Sequence, residues 1–301
     1  MKKSVSVIIP TFSHAGRDQA LTRLVKDVRE KGGDNLDIIV VDNGCSLSNT
    51  AFEEVSRVQV VKVPVIGLSR ARNAGIKHAK KDILIFVDDD VVLEDNFFEK
   101  LLSVYEEKRD VLCVGCQVKL DQESRDLLAS KKWLSSYFLR FILPPVYPAV
   151  LSSIKPPFYI IGACMSFRKD AFTLYGYFNN LLGRRGTKLL SGEDTDFVAR
   201  IPSSQVYIQP HAIVATKLEN KRAKRLFFVR RIYWQAVTDA LLARVNGIDS
   251  LYDRGELTAF REVLKHSLLA AMRLHFTEAF CRMLRFTVFA LRFTKKTPEY
   301  A

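Results

Sequence analysis

ILIFVDDDVVLEDNFFEKLL, residues 83–102, runs five apolar residues into three consecutive carboxylates and then into a helical pattern. Residues 83–87 are apolar at every position, the mark of a strand buried on both faces of a sheet. Residues 95–108 repeat apolar side chains every three or four positions, the period of a helix. The pattern recurs on either side. VSVII (5–9), DIIVV (37–41), VQVVKV (58–63) and VLCVG (111–115) read as strands, and 18–31 and 68–80 as helices. Strands alternating with helices imply an α/β fold: a Rossmann-like, mostly parallel central sheet flanked by helices.

The turn after the first strand reads Pro10-Thr11-Phe12-Ser13-His14 in place of G-x-G-x-x-G, which argues against a dehydrogenase. Ligands of open α/β sheets bind beyond the carboxyl ends of the strands. Three such ends carry Thr11, Asp42-Asn43-Gly44 and Asp88-Asp89-Asp90. Carboxylates this close raise one another's pKa unless a cation sits among them. Mg²⁺ takes one or two carboxylates and completes its shell with water and diphosphate oxygens, so the loop fits a clamp on a nucleoside diphosphate. The plainer reading is a solvated cluster before the next helix, with Asp95 or Asn96 as its cap. Asp42 either accepts a hydrogen bond from a nucleobase or ribose or shapes the Asn-Gly turn. Glu193-Asp194, in SGEDTD at a helix start, are either first-turn acids or a general base.

A chain of 301 residues fits one large domain with an appendage, and 48% hydrophobic with 26% charged residues is a globular composition. The net charge of +13 is concentrated: from Lys217 onward there are 17 Lys/Arg against 8 Asp/Glu. With no nucleic-acid motif and the basic residues outside the sheet, a nucleic-acid partner is not expected. Five scattered cysteines suit a reducing compartment, and Cys113 and Cys116 fall three apart in a strand, facing opposite sides. There is no signal-peptide pattern and no uncharged run of about 18 residues, so a cytoplasmic protein is expected.

The aromatic and proline-rich stretch 131–155 reads as a long binding loop, followed by a strand over 158–167. Residues 258–296 mix Leu, Phe and Met with Arg273, Arg282, Arg285 and Arg292, as in helices lying in a headgroup plane with Arg snorkelling outward. With the polybasic run 221–231, this suggests attachment to an anionic inner leaflet. The alternative is a helix pair packed on the catalytic domain or on a second copy, giving an oligomer.

Taken in order, SVSVIIPTF, DIIVVDNG, GLSRARNAG, ILIFVDDDVVLEDNFFEKLL, IIGACMSFRKDAF, LLSGEDTDFVARI and RRIYWQAVTDA resemble the family 2 glycosyltransferases of GT-A fold. The resemblance spans about residues 4–240. It implies a catalytic domain over 1–216, with a nucleotide half to about 116 and an acceptor half from 117, then a basic helical extension over 217–301. It implies inverting transfer from a nucleotide sugar, a UDP-sugar being the first choice, to a glycan or lipid-linked glycan in bacterial polysaccharide or lipopolysaccharide synthesis, with Mn²⁺ or Mg²⁺. By position, Thr11, Asp42, Arg72, Asp88 and Asp89 match the nucleotide contacts. Asp88 and Asp90 match the metal-binding acids, and Gly162 and Ala163 the segment beneath a sugar. Asp194 matches the catalytic base, with Glu193 orienting the acceptor, and Arg230 or Arg231 is placed to offset diphosphate charge. One departure concerns the histidine of many relatives: Thr216 stands at that position and His211 lies five residues earlier. The rival readings are a sugar nucleotidyltransferase and a non-catalytic scaffold.

Overall fold

The computed structural model describes residues 4–12, 18–48, 51–145, 147–153, 160–246, 260–272 and 275–294. Contacts divide the chain into two units. The first comprises Met1–Leu120, Pro144–Asn180 and Glu193–Lys217; the second comprises Asp121–Leu143, Leu181–Gly192 and Leu218–Ala301. The sequence boundary at 216/217 thus falls beside one junction, but the second unit also takes two earlier segments.

The first unit holds the sheet. Strands β1 (Val5–Thr11), β2 (Asp37–Asp42), β3 (Val58–Lys62) and β4 (Ile83–Val87) pair in parallel, in the order β3-β2-β1-β4. All seven β1 residues and all five of β4 are buried, as expected for strands covered on both faces. Helices α1 (Asp18–Gly32), α2 (Leu68–His78) and α3 (Phe97–Glu107) follow, close to the sequence ranges. Asn96 takes the N-cap position of α3 but its side chain makes no capping bond, while the Asp95 side chain is 95% exposed and within 3.4 Å of Lys31.

Beyond β4 the sheet becomes mixed. Among the described residues the order continues β8 (Cys164–Arg168), β6 (Cys113–Leu120), β9 (Val206–Thr216) and β5 (Val91–Leu93), with β7 (Ser152–Ser153) on β9. β8 runs antiparallel to both β4 and β6, whereas β6 and β9 are parallel. Strand periodicity reports burial and not direction, so the reversal at β8 was not readable from sequence. The strand foreseen over 158–167 is confined to Cys164–Arg168, with 158 and 159 outside the described residues. β6 starts two residues later than foreseen and runs on to Leu120. Cys113 and Cys116 are both buried and pack into different cores on opposite faces of the sheet.

The second unit is helical: α4 (Gln122–Ala129), α5 (Ser136–Leu139), α8 (Arg225–Asn246), α9 (Phe260–Met272) and α10 (Phe276–Thr294). The first unit contributes α6 (Asp170–Tyr175) and α7 (Glu193–Val198). Two sequence expectations are corrected here. The aromatics of 131–143 form core and not a binding loop: Tyr137 and Phe138 are buried, and Phe138 meets Phe228 edge-on at 5.2 Å and Trp133 at 5.5 Å. Nor do the tail arginines snorkel outward. Arg285 is buried against Asp239 of α8 at 3.0 Å, and Arg282 pairs with Glu278 of its own helix at 2.8 Å and lies over the Tyr137 ring of α5 at 4.0 Å. Arg292 reaches the Tyr233 hydroxyl at 3.3 Å, while Arg273 lies outside the described residues. No helix among the described residues is long and apolar enough to cross a membrane.

Candidate active site

Parallel register brings the polar strand ends to one edge of the first unit. Thr11 lies opposite Asp42, and Ile8 opposite Phe86, so Asp88 and Asp89 emerge beside the end of β1. Antiparallel pairing of β8 with β4 sets Cys164 opposite Val87, which carries Gly162 and Ala163 over the acidic loop. The Asp88 N–H donates to the Ala163 carbonyl at 3.0 Å.

Arg72 organises this edge. Helix α2 packs so tightly on β1 that a Cβ at Gly75 would stand 2.4 Å from Ile8, which drives Arg72 into the interior, where it is 1% exposed. Its Nη1 donates to Glu193 Oε1 at 2.6 Å. Its Nη2 donates to the Gly162 carbonyl at 2.8 Å and to Asp88 Oδ1 at 3.3 Å. Burial opposes the charge on Arg72, but Glu193, Asp88 and Asp194 outweigh it and raise the pKa. A Cβ at Gly162 would lie 2.7 Å from Arg72 Nη2, so that glycine makes room for the guanidinium. The neighbouring Asn73 completes the helix's role, exchanging hydrogen bonds with the Phe178 backbone at 2.8 and 3.1 Å.

Asp194 lies on the other side of Gly162. Its Oδ2 accepts from the Gly162 N–H at 2.8 Å and its Oδ1 from the Thr195 N–H at 2.8 Å. A carboxylate has about four lone-pair sites, so two N–H donors leave it capacity to accept a proton. Its neighbour Glu193 is 5% exposed and committed to Arg72, which takes it away from the acceptor-orienting role that the resemblance implied. Burial first, and Asp194 second, push the Glu193 carboxyl upward, while Arg72 pulls it down.

The acidic loop divides its labour. Asp89 is buried and accepts from the Thr11 hydroxyl at 2.6 Å, so these two residues brace the loop against β1. Asp88 and Asp90 are partly exposed. Burial, offset by Arg72 and reinforced by Asp90 and Asp89, pushes Asp88 up to about 7. Solvent moderates that push, because 36% of its side-chain surface is accessible. At the far end of the edge, Asp42 Oδ2 accepts from the Leu47 N–H at 2.8 Å, while buried Oδ1 has no partner among the described residues. The turn role and a vacant acceptor therefore coexist in one side chain. Asn43 fastens the β3–α2 connection through Val63, Val65 and Gly67.

Among the described residues no group of three or more His, Cys, Asp or Glu is gathered to hold a metal. A hard cation shared with a diphosphate needs only one or two carboxylates. His211 is exposed at the irregularity where β9 slips against β6, as befits a surface residue, and Thr216 ends β9. Arg230 and Arg231 belong to the second unit, where they bond to the Thr187 carbonyl at 3.1 Å and the Ser191 hydroxyl at 3.4 Å. Sequence reading missed Tyr147, which bonds to the Ile161 backbone and lies within electrostatic reach of Asp194. It was concealed in an aperiodic stretch.

Residues 6–174 match the family model described as glycosyl transferase family 2. The chain is 24% identical over 252 residues to the glucosyl-dolichyl phosphate glucuronosyltransferase of Haloferax volcanii, covering 79% of this chain and 77% of that protein. It is 26% identical over 255 residues to an uncharacterized glycosyltransferase of Haemophilus influenzae, covering 78% and 79%. In fold it is similar to the mannosyltransferase PcManGT of Pyrobaculum calidifontis, solved with GDP-Man and Mn²⁺. That match has a TM-score of 0.58 at 14% identity, over 99% of this chain and 89% of the other. With more than half of its length matched by the family model and a GT-A fold around the acidic edge, the chain belongs to glycosyl transferase family 2.

Proposed function

We propose that the chain transfers a sugar from a nucleoside-diphosphate sugar to an acceptor hydroxyl with inversion at the anomeric carbon. The observation that carries the reading is the Arg72 bridge, which ties Asp88 of the acidic loop to Glu193 and, through Gly162, to the neighbourhood of Asp194. The vacant Oδ1 of Asp42 is the natural acceptor for a nucleobase or ribose donor group. Asp88 and Asp90 would hold Mn²⁺ or Mg²⁺. When bound, the cation supplies Lewis-acid stabilisation of charge on the departing diphosphate.

Asp194 takes the proton from the acceptor hydroxyl as its oxygen attacks, a role that requires an accessible carboxylate within about 3 Å of that oxygen. Retention by double displacement would need a second carboxylate as nucleophile. Glu193, the adjacent one, is buried and engaged by Arg72, which favours a single displacement and inversion. The acceptor is a glycan or lipid-linked glycan, as in polysaccharide or lipopolysaccharide synthesis. The Haloferax relative, whose name carries a glucosyl-dolichyl phosphate, supports that class.

A thermal-shift and hydrolysis screen of UDP-, GDP- and TDP-sugars, each with and without Mn²⁺ or Mg²⁺, tests the reading. One donor family should raise Tm only in the presence of the cation and should be slowly hydrolysed. No shift and no hydrolysis with any of them would reject it.

A further inference from the structure

The second unit contains a helix whose polarity is inverted. Between Phe276 and Leu291, α10 carries three charged residues, Glu278, Arg282 and Arg285, and all three sit in ion pairs. Its buried positions, Glu278, Cys281, Arg285 and Val288, follow the three- and four-residue spacing of one face. The opposite face presents Phe276, 65% exposed, Phe280, 56% exposed, and Thr287. α9 likewise leaves apolar groups outside, without burying charge: Val263, Ser267 and Ala270 are buried, while Leu264 and Leu268 stand exposed beside Lys265.

A helix packed on a protein and facing water on its outer side places its charges outward. On α10 the charges are spent in ion pairs, and on both helices large apolar groups are left outside. Successive exposed Leu and Phe at i, i+4 spacing on two adjoining helices mark an interaction face and not scattered surface residues.

We infer that the outward faces of α9 and α10 insert into the headgroup–acyl boundary of an anionic membrane, as an in-plane, non-spanning attachment. Charge selects this occupant. From Lys217 onward the chain carries 17 Lys/Arg against 8 Asp/Glu, so a second copy would bring two like-charged tails together, whereas an anionic bilayer satisfies both the apolar groups and the basic excess. Lys221, Lys224, Arg225 and Arg230, all exposed at the start of this unit's long helix, add cationic groups of the kind that anionic headgroups attract. The inference stands apart from the catalytic reading, because it uses none of the residues of the acidic edge.

The test is flotation of the full chain with vesicles of phosphatidylcholine alone or with about 30% phosphatidylglycerol, for wild type, Phe276→Gln/Phe280→Gln and Leu264→Gln/Leu268→Gln. Wild type should float with the anionic vesicles, and each pair should lower the bound fraction about tenfold or more while circular dichroism and Tm stay unchanged. A Phe280→Trp variant should shift its emission to the blue on binding and be quenched by brominated acyl chains. Flotation that both glutamine pairs leave intact, absence of flotation, or emission from the Phe280→Trp variant that brominated chains do not quench would overturn the inference. So would sedimentation showing a dimer that Phe280→Gln dissolves.

Discussion

Replacing Arg72 by Leu is the sharpest perturbation of the acidic edge. The side chain is 1% exposed and makes two short bonds, to Glu193 Oε1 at 2.6 Å and to the Gly162 carbonyl at 2.8 Å. A third, to Asp88 at 3.3 Å, counts for less, because Asp88 is 36% accessible and water screens it. Removing the cation leaves Glu193 buried and unbalanced, and breaking one side of a buried ion pair costs about 3–5 kcal/mol. For a unit of about 180 residues, each kcal/mol lowers Tm by about 2–4 °C, so the loss should be roughly 6–20 °C. The companion Arg72→Leu/Glu193→Leu removes both charges and should recover much of the loss, since an apolar pair replaces a buried ion pair at little cost. Differential scanning fluorimetry on the two single variants and the double, completed as a thermodynamic cycle, reads the coupling. A coupling below about 0.5 kcal/mol, or a single-variant Tm within about 2 °C of wild type, would refute the bridge.

Three further outcomes follow from the same geometry. Gly162→Ala places a methyl 2.7 Å from Arg72 Nη2. It should cost about 1–3 kcal/mol by denaturant titration and reduce turnover, because Arg72 and the Asp194 anchor must both move. Asp88, pushed up to about 7 by burial and its carboxylate neighbours, must be ionised to bind a cation. Protons therefore compete as pH falls, and Mn²⁺ affinity measured by titration calorimetry with a bound nucleoside diphosphate should drop up to about tenfold from pH 7 to pH 6, a slope that Asp88→Asn should flatten. Asp42→Ala should weaken nucleotide binding, read as Kd, by removing the vacant acceptor at Oδ1, with little change in the rate constant for bound donor.

The strands and the chemistry at their ends were legible because each is written locally. The apolar run of β4 and the following acids are contiguous, as are DIIVVD and its Asn-Gly turn. What sequence left hidden was long-range. Arg72 and Glu193 lie 121 positions apart, and their pairing depends on the reversal of β8, which no periodicity announces. Asp89 was matched to the nucleotide contacts, but the turn after β4 buries it against Thr11, 78 positions away in sequence. The tail's composition was read correctly as basic and apolar, whereas the direction of its arginines was not. Asp239, one carboxylate on α8, draws Arg285 inward.

The central claim is that Asp194, held by the Gly162 N–H beside the Arg72 bridge, removes the proton from the acceptor. Asp194→Asn keeps the shape of the side chain and the fold but abolishes the base. Titration calorimetry paired with a transfer assay on the identified donor should show an unchanged donor Kd and turnover reduced by about 10²–10⁴. Turnover within about threefold of wild type would contradict the account.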